Sequence, residues 1–296
     1  GGWPGIKKVF SHYDLFGYKQ KSLESSDLTY GYIQILIYIV CILSVIFYVF
    51  KTYTQTLVDD SEILTKFSAY LIRGSFWAVF LVGIADFIIS FMVVERLWEA
   101  IFSPEVKAFM VKAPERITYI HFPIILVSFI IGYFTKSVGF IWLAVLVVLS
   151  EFVIVLSRFV FSYEQAFQGD LVRFWYAALY LFASAYALIH EGHVRVDVLY
   201  SSFSERKKAW TNVLGSSLLG VPLCLIVLFL GLNGKASIIN GPVVVFEVTQ
   251  QGSNGLYLLY LMAVYLAVFA VTMLLQFTSY FMSSSHKLLQ NKVESQ

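Results

Sequence analysis

The sequence predicts an all-α integral membrane protein, a polytopic helical bundle, and three observations predict it. Hydrophobic residues make up 58% of the 296-residue chain and charged residues only 14%, against about 45–50% and about 25% in soluble domains. The apolar runs reach the roughly 20 residues that a helix needs to cross a hydrocarbon core about 30 Å thick. Those runs do not alternate polar with apolar, as barrel strands would, and in lipid only helices and closed barrels satisfy the backbone. About seven transmembrane helices plus interfacial amphipathic helices are expected.

Residues 1–28 form a polar, interfacial N-terminal segment. "GGWPGIKK" is Gly-rich, begins without Met and shows no signal-peptide pattern, which reads as a trimmed or added end. Segment 8–28 mixes polar and aromatic residues and suits the membrane surface. An N-terminal extension, 29–137, follows with up to three spans, at roughly 29–50, 70–93 and 117–134. Within it, 94–116 ("VERLWEAIFSPEVKAFMVKAPER") is amphipathic and suits a helix lying in the interface, broken near Pro104. The third span is short and carries Pro123.

Residues 138–281 read as a four-helix module with spans near 138–161, 171–190, 210–232 and 255–281, and 282–296 is a polar tail. The short connection "FTKSVG" (134–139) predicts a tight antiparallel hairpin of the third and fourth spans. The fifth span carries Arg173, and its small residues Ala177, Ala178, Ala183, Ser184, Ala185 and Ala187 would let another helix approach closely. The loop 233–255 is too polar to cross.

Lys and Arg collect on the cytoplasmic side of short loops. In the back half, Lys136, Arg195, Arg206, Lys207, Lys208, Lys287 and Lys292 fall on one side, against Arg158, Arg173 and Lys235 on the other. Loop 191–208 and the C-terminus are therefore expected in the cytoplasm. The front half opposes this: seven spans put Lys7, Lys8, Lys19, Lys21, Arg96, Lys107, Lys112 and Arg116 outside.

A net charge of +2 gives no basis for binding nucleic acid. Cys41 and Cys224 sit in apolar runs and read as small buried hydrophobes rather than a disulfide. "HEGH" superficially resembles a zinc motif, but His190 and His193 are three apart rather than four, and Gly192 marks a helix end. Haem ligation would fall to His121 and His190, a single pair. Phosphate loops, nucleophile elbows and cysteine clusters are all missing from the sequence, so no catalytic residue, cofactor site or metal site is assigned and the chain is not read as an enzyme. Asp86, Glu151 and Arg158 lie within spans, the last two seven apart on one helical face. Intramembrane charges mark either an ion pathway or buried contacts between helices or subunits. With so few of them, and spans largely unbroken, contacts are the better reading. Trp77, Trp142, Trp175 and Trp210 near span ends suit an interfacial aromatic belt.

Residues 138–281 carry a resemblance. "HVRVDVLYSSFSERKKAW", preceded by "SYEQAFQGDLVRFWYAALYLFASAYAL" and followed by "VLGSSLLGVPL", resembles the DctQ-type small membrane subunit of TRAP transporters, in its larger subtype. His193, Arg195 and Asp197 match the family's polar turn, and Arg206, Lys207 and Lys208 its basic segment. The resemblance implies a bacterial inner-membrane protein serving cation-coupled uptake of an organic acid. It implies as partners a large membrane subunit, which would hold the substrate and sodium sites, and a periplasmic substrate-binding protein, with membrane lipid around them. This chain would be the non-catalytic scaffold that anchors the large subunit. Its contact residues would be His193, Arg195, Asp197, Arg206, Lys207, Lys208, Glu151, Arg158, Arg173 and Asp86. The rival readings are a haem or redox subunit and a self-sufficient transporter.

Overall fold

A computed structural model describes residues 5–17, 25–135, 140–189, 200–248 and 255–293, and among them there is no strand. The helices are α1 (Ile6–His12), α2 (Ser25–Lys51), α3 (Leu57–Val94), α4 (Trp98–Ile101) and α5 (Pro104–Val111). They continue with α6 (Ala113–Phe134), α7 (Phe140–Phe161), α8 (Ala166–Ile189), α9 (Glu205–Leu232), α10 (Asn240–Val244) and α11 (Leu259–Val293). Six of them, α2, α3, α6, α7, α9 and α11, are long and apolar enough to cross a membrane. The expected seventh span lies in α8, a 24-residue helix that is not one of those six.

The helix α3 is the hub. It begins about thirteen residues before the expected span near 70–93 does, because Thr56 and Asp59 close a reciprocal capping box. The Asp59 N–H donates to Thr56 Oγ1 at 3.3 Å, and the Thr56 N–H to Asp59 Oδ2 at 2.9 Å. Asp59 and Asp60 also place negative charge on the helix's positive end. Along its length α3 packs against α6, α8 and α11. Its buried Phe76, Val79 and Val82 meet Phe167, Phe174 and Ala178 of α8 and Tyr265 of α11 in one core. The small-residue reading of the fifth span is realised at Ala178, which is fully buried.

Lipid tails are as apolar as leucine, so close packing and hydrogen bonds must hold such helices together. The α3–α6 seam shows both. A Cβ on Gly132 would lie 2.8 Å from the Cα and N of Gly74, and a Cβ on Gly74 would strike the Phe129 ring. Around that crossing Tyr70 Oη donates to the Phe129 carbonyl (3.3 Å), Arg73 Nε to the Gly132 carbonyl (3.3 Å) and Trp77 Nε1 to Thr135 Oγ1 (2.9 Å).

Pro123 and Pro222, the two prolines inside spans beyond their first turn, are each preceded by a π turn. The Phe122 N–H reaches back five residues to the Ile117 carbonyl, just before Pro123, and the Val221 N–H to the Ser216 carbonyl, just before Pro222. The extra residue relieves the clash a proline ring makes with the preceding turn, so α6 and α9 run through without breaking.

Several expectations change. The third and fourth spans do not form the predicted packed hairpin: α6 lies along α3, whereas α7 lies along α8. Trp175 is buried, with Nε1 donating to the Val79 carbonyl at 3.3 Å, so it does not belong to a belt, whereas Trp77 is half-buried and donates to Thr135 at the end of α6. Trp142 and Trp210 stay exposed. Cys224 is buried as expected, but Cys41 faces outward. The helix that carries it, α2, has its apolar stretch exposed, and among the described residues it packs against short α1. Tyr48 Oη donates to Asp60 at 2.8 Å and ties its far end to α3. The amphipathic stretch 94–116 is three short helical pieces: α4, α5, which starts at Pro104, and the first turn of α6.

Candidate functional site

The densest polar cluster in the bundle interior surrounds Asp86, which is fully buried on α3. A lone carboxylate there would be prohibitively costly, so its partners decide what it does. Arg116, 1% exposed on the first turn of α6, brings Nε to 2.6 Å from Asp86 Oδ1. That contact is an ion pair off the N–H axis rather than an aligned hydrogen bond. The aligned donations come from Nη2, to the Asp86 carbonyl at 2.6 Å and to Ser90 Oγ at 2.9 Å. The guanidinium also lies over the Tyr257 ring, 4.4 Å from its centroid.

His121 completes the group. Its Nε2 is 2.9 Å from Asp86 Oδ1 and its Nδ1 is 3.0 Å from Tyr260 Oη. With the Nε2 proton donated to the carboxylate, Nδ1 accepts from the tyrosine hydroxyl. Asp86 Oδ2 accepts the Tyr257 backbone N–H at 2.7 Å.

The π turn in α6 makes this convergence possible. Side chains five apart on an α-helix point about 140° away from each other. The wider π turn over Ile117–His121 swings His121 back toward the face that Arg116 occupies. Pro123 accompanies the turn, and Ile117 within it is fully buried.

A second carboxylate extends the site. Asp170 on α8, 3% exposed, accepts the Leu256 N–H at Oδ2 (3.0 Å) and lies 3.7 Å from Arg173 Nη1. Ser90 Oγ donates to the Gly255 carbonyl at 3.4 Å, and Tyr257 Oη to the Val111 carbonyl at 2.8 Å. The entry strap of α11, residues 255–260, is thereby fastened to α3, α5, α6 and α8. Chemically this is a clasp: buried charges neutralise one another and satisfy backbone groups at a junction of helices. Both nitrogens of His121 are engaged within the clasp. His190 lies outside the described residues.

The remaining expected contact residues are spread out. Arg158 does not pair with Glu151; its Nε is 3.4 Å from Glu164 Oε2, and both side chains are well exposed. Glu151 is exposed near the middle of α7 and has no ion pair among the described residues. Lys208 pairs with Glu205 at 3.0 Å in the first turn of α9, whose next residues back are Arg206 and Lys207. His193, Arg195 and Asp197 lie outside the described residues. Arg116, Tyr257, Tyr260, Ser90 and Asp170 are the site residues that sequence reasoning missed. Arg116 was placed in a surface segment, and the signal that could have found it is the proline seven residues on, the cue for a π turn.

Residues 145–284 match the family model described as "Tripartite ATP-independent periplasmic transporters, DctQ component". No curated protein and no solved structure matches the chain.

Proposed function

We propose that this chain, whose residues 145–284 match the model of the DctQ component of tripartite ATP-independent periplasmic transporters, is the scaffolding small membrane subunit of such a transporter. The large membrane subunit would carry the organic acid and its coupling sodium, a periplasmic binding protein would deliver the acid, and this chain would hold the large subunit in the inner membrane. It would do so without catalysis or a cofactor of its own, and with loop 191–208 and the C-terminus in the cytoplasm.

One observation carries the scaffold reading. Glu151 sits halfway along the 22-residue α7, exposed on a face otherwise built of Val148, Phe152 and Val155. A carboxylate turned to lipid at mid-span costs a few kcal/mol, which a polar partner across a subunit interface would offset. Interior charges favour the same reading, since Asp86, Arg116 and His121 are joined to one another rather than strung along a path. The large subunit would therefore seat against the outer face of α7.

Co-expression with the large subunit tests this. Gentle-detergent purification should recover both chains, and a cysteine introduced at Glu151→Cys should cross-link to the larger one. Recovery of this chain alone, or uptake by it in proteoliposomes without a partner, would overturn the proposal. Arg195→Ala and Asp197→Ala should weaken assembly or uptake and leave the binding protein's substrate affinity unchanged.

A further inference from the structure

A second polar site lies at the end of the bundle where α3 and α9 begin and α11 ends. It is a cavity of about 410 Å³ whose walls come from all three helices. One wall is sealed: Thr65 Oγ1 and Ser279 Oγ are 2.8 Å apart, and Ser279 Oγ reaches the Ser61 carbonyl at 2.8 Å. The opposite side is not. Gln276 lines the cavity, is 3% exposed, and its side-chain Oε1 is sealed from solvent without a partner among the described residues. A buried amide left in this state costs stability unless something else satisfies it. Ser283 and Ser284, on the same stretch of α11, also line the cavity.

The charges at the mouth have a sign. Lys208 and Lys287 line it together with Glu205, a net of one positive charge. Lys208 is held by Glu205 at 3.0 Å, while Lys287 has no ion pair among the described residues. The first turn of α9 adds backbone N–H groups, and its Ser204 cap makes no side-chain hydrogen bond. An anion with several acceptor oxygens suits the mouth, and a hydroxyl or ammonium donor suits Gln276 Oε1 beneath it.

Depth narrows the class. The 28 residues of α9 span about 42 Å, some 12 Å more than the hydrocarbon core. With Leu232 at one boundary, the segment from Glu205 to Asn212 stands at the level of lipid phosphates. Just below it, the outer face of α9 exposes Leu214, Leu218 and Leu219, a surface fit for acyl chains.

We propose that this cavity binds the phosphate headgroup of an anionic phospholipid. Basic pockets between spans are the usual seat of such headgroups. Bound there, the lipid bridges α3, which precedes the DctQ-matched region, to α9 and α11 within it.

Native mass spectrometry of the full chain in mild detergent tests this, with phosphatidylglycerol, phosphatidylcholine and inorganic phosphate as probes. One phosphatidylglycerol should be retained about tenfold more tightly than phosphatidylcholine. Lys208→Gln and Lys287→Gln together should lower that retention about thirtyfold, and Gln276→Leu should lower it while leaving the melting temperature equal or higher. Lys66→Gln, an exposed lysine paired with Glu62 outside the cavity, should change nothing. Each lysine variant alone gives the same readout if the double variant fails to fold. Equal retention of the two lipids, or wild-type retention by the lysine variants, overturns the proposal. Displacement of the lipid by millimolar phosphate overturns the lipid assignment in favour of the free anion; persistence of the lipid supports it.

Discussion

Replacing Asp86 with alanine removes the carboxylate that pairs with Arg116, which is 1% exposed and has no other ion pair among the described residues. Breaking one side of a buried ion pair costs about 3–5 kcal/mol, roughly a 150- to 4000-fold shift in the folding equilibrium. Arg116→Met leaves Asp86 with His121 and the Tyr257 N–H, so its cost should fall at or below the lower end of that range. Asp86→Ala combined with Arg116→Met removes both charges and leaves polar groups unpaired on Tyr257 and His121, at about 1–3 kcal/mol each. The double variant should therefore lose about 2–3 kcal/mol less than the two single losses added together. Unfolding by dodecyl sulfate in mixed micelles, followed by tryptophan fluorescence, measures all three. Additivity within about 0.5 kcal/mol would refute the clasp, because independent groups add and a shared ion pair does not.

Three more outcomes follow from the geometry. Gly132→Ala forces a methyl group to within 2.8 Å of the Gly74 backbone, so it should cost about 1–3 kcal/mol in the same unfolding assay. Asp170→Ala strips the Leu256 N–H of its acceptor; proteolysis near residue 255 should accelerate, with a stability loss of about 1–3 kcal/mol. Burial, and then the hydrogen bond to Glu95, raise the Tyr163 hydroxyl above its usual pKa of 10.0. The unfolded chain therefore loses that proton first, and the stability it contributes is present below about pH 10 and lost as pH climbs further. Tyr163→Phe should flatten the alkaline arm of a pH–melting curve.

The helices were legible because membrane spans announce themselves by length and apolarity, as α2, α6 and α7 do. Their ends were less so. The hub helix α3 starts at Leu57 rather than near 70, since a Thr–Asp cap stabilises two polar turns that hydropathy discards. Its partner choice was hidden as well. The glycines that decide the α3–α6 crossing, Gly74 and Gly132, lie 58 positions apart and carry no local signature. Asp86 was recognisable as an intramembrane charge, but its partners were not. Arg116 reads as the end of an amphipathic surface stretch, and only a departure from the 3.6-residue period brings it into line with His121. Glu151 and Arg158 share a helical face at a seven-residue spacing, but that spacing says nothing of how far a side chain reaches toward another partner, here Glu164 for Arg158.

The sequence separations inside the clasp set a schedule for biosynthesis. Arg116 reaches Asp86 across 30 residues, whereas the Tyr257 amide that caps the same carboxylate comes 171 residues later. At roughly 5–20 residues per second, the ribosome supplies the first partner within seconds and the last after roughly 10–35 s. Nascent chains thus pass through an interval in which an acidic group is neutralised yet still short of a donor. A translocation machinery that holds early helices until late ones emerge would shelter that interval, and chains truncated before α11 should be rapidly degraded.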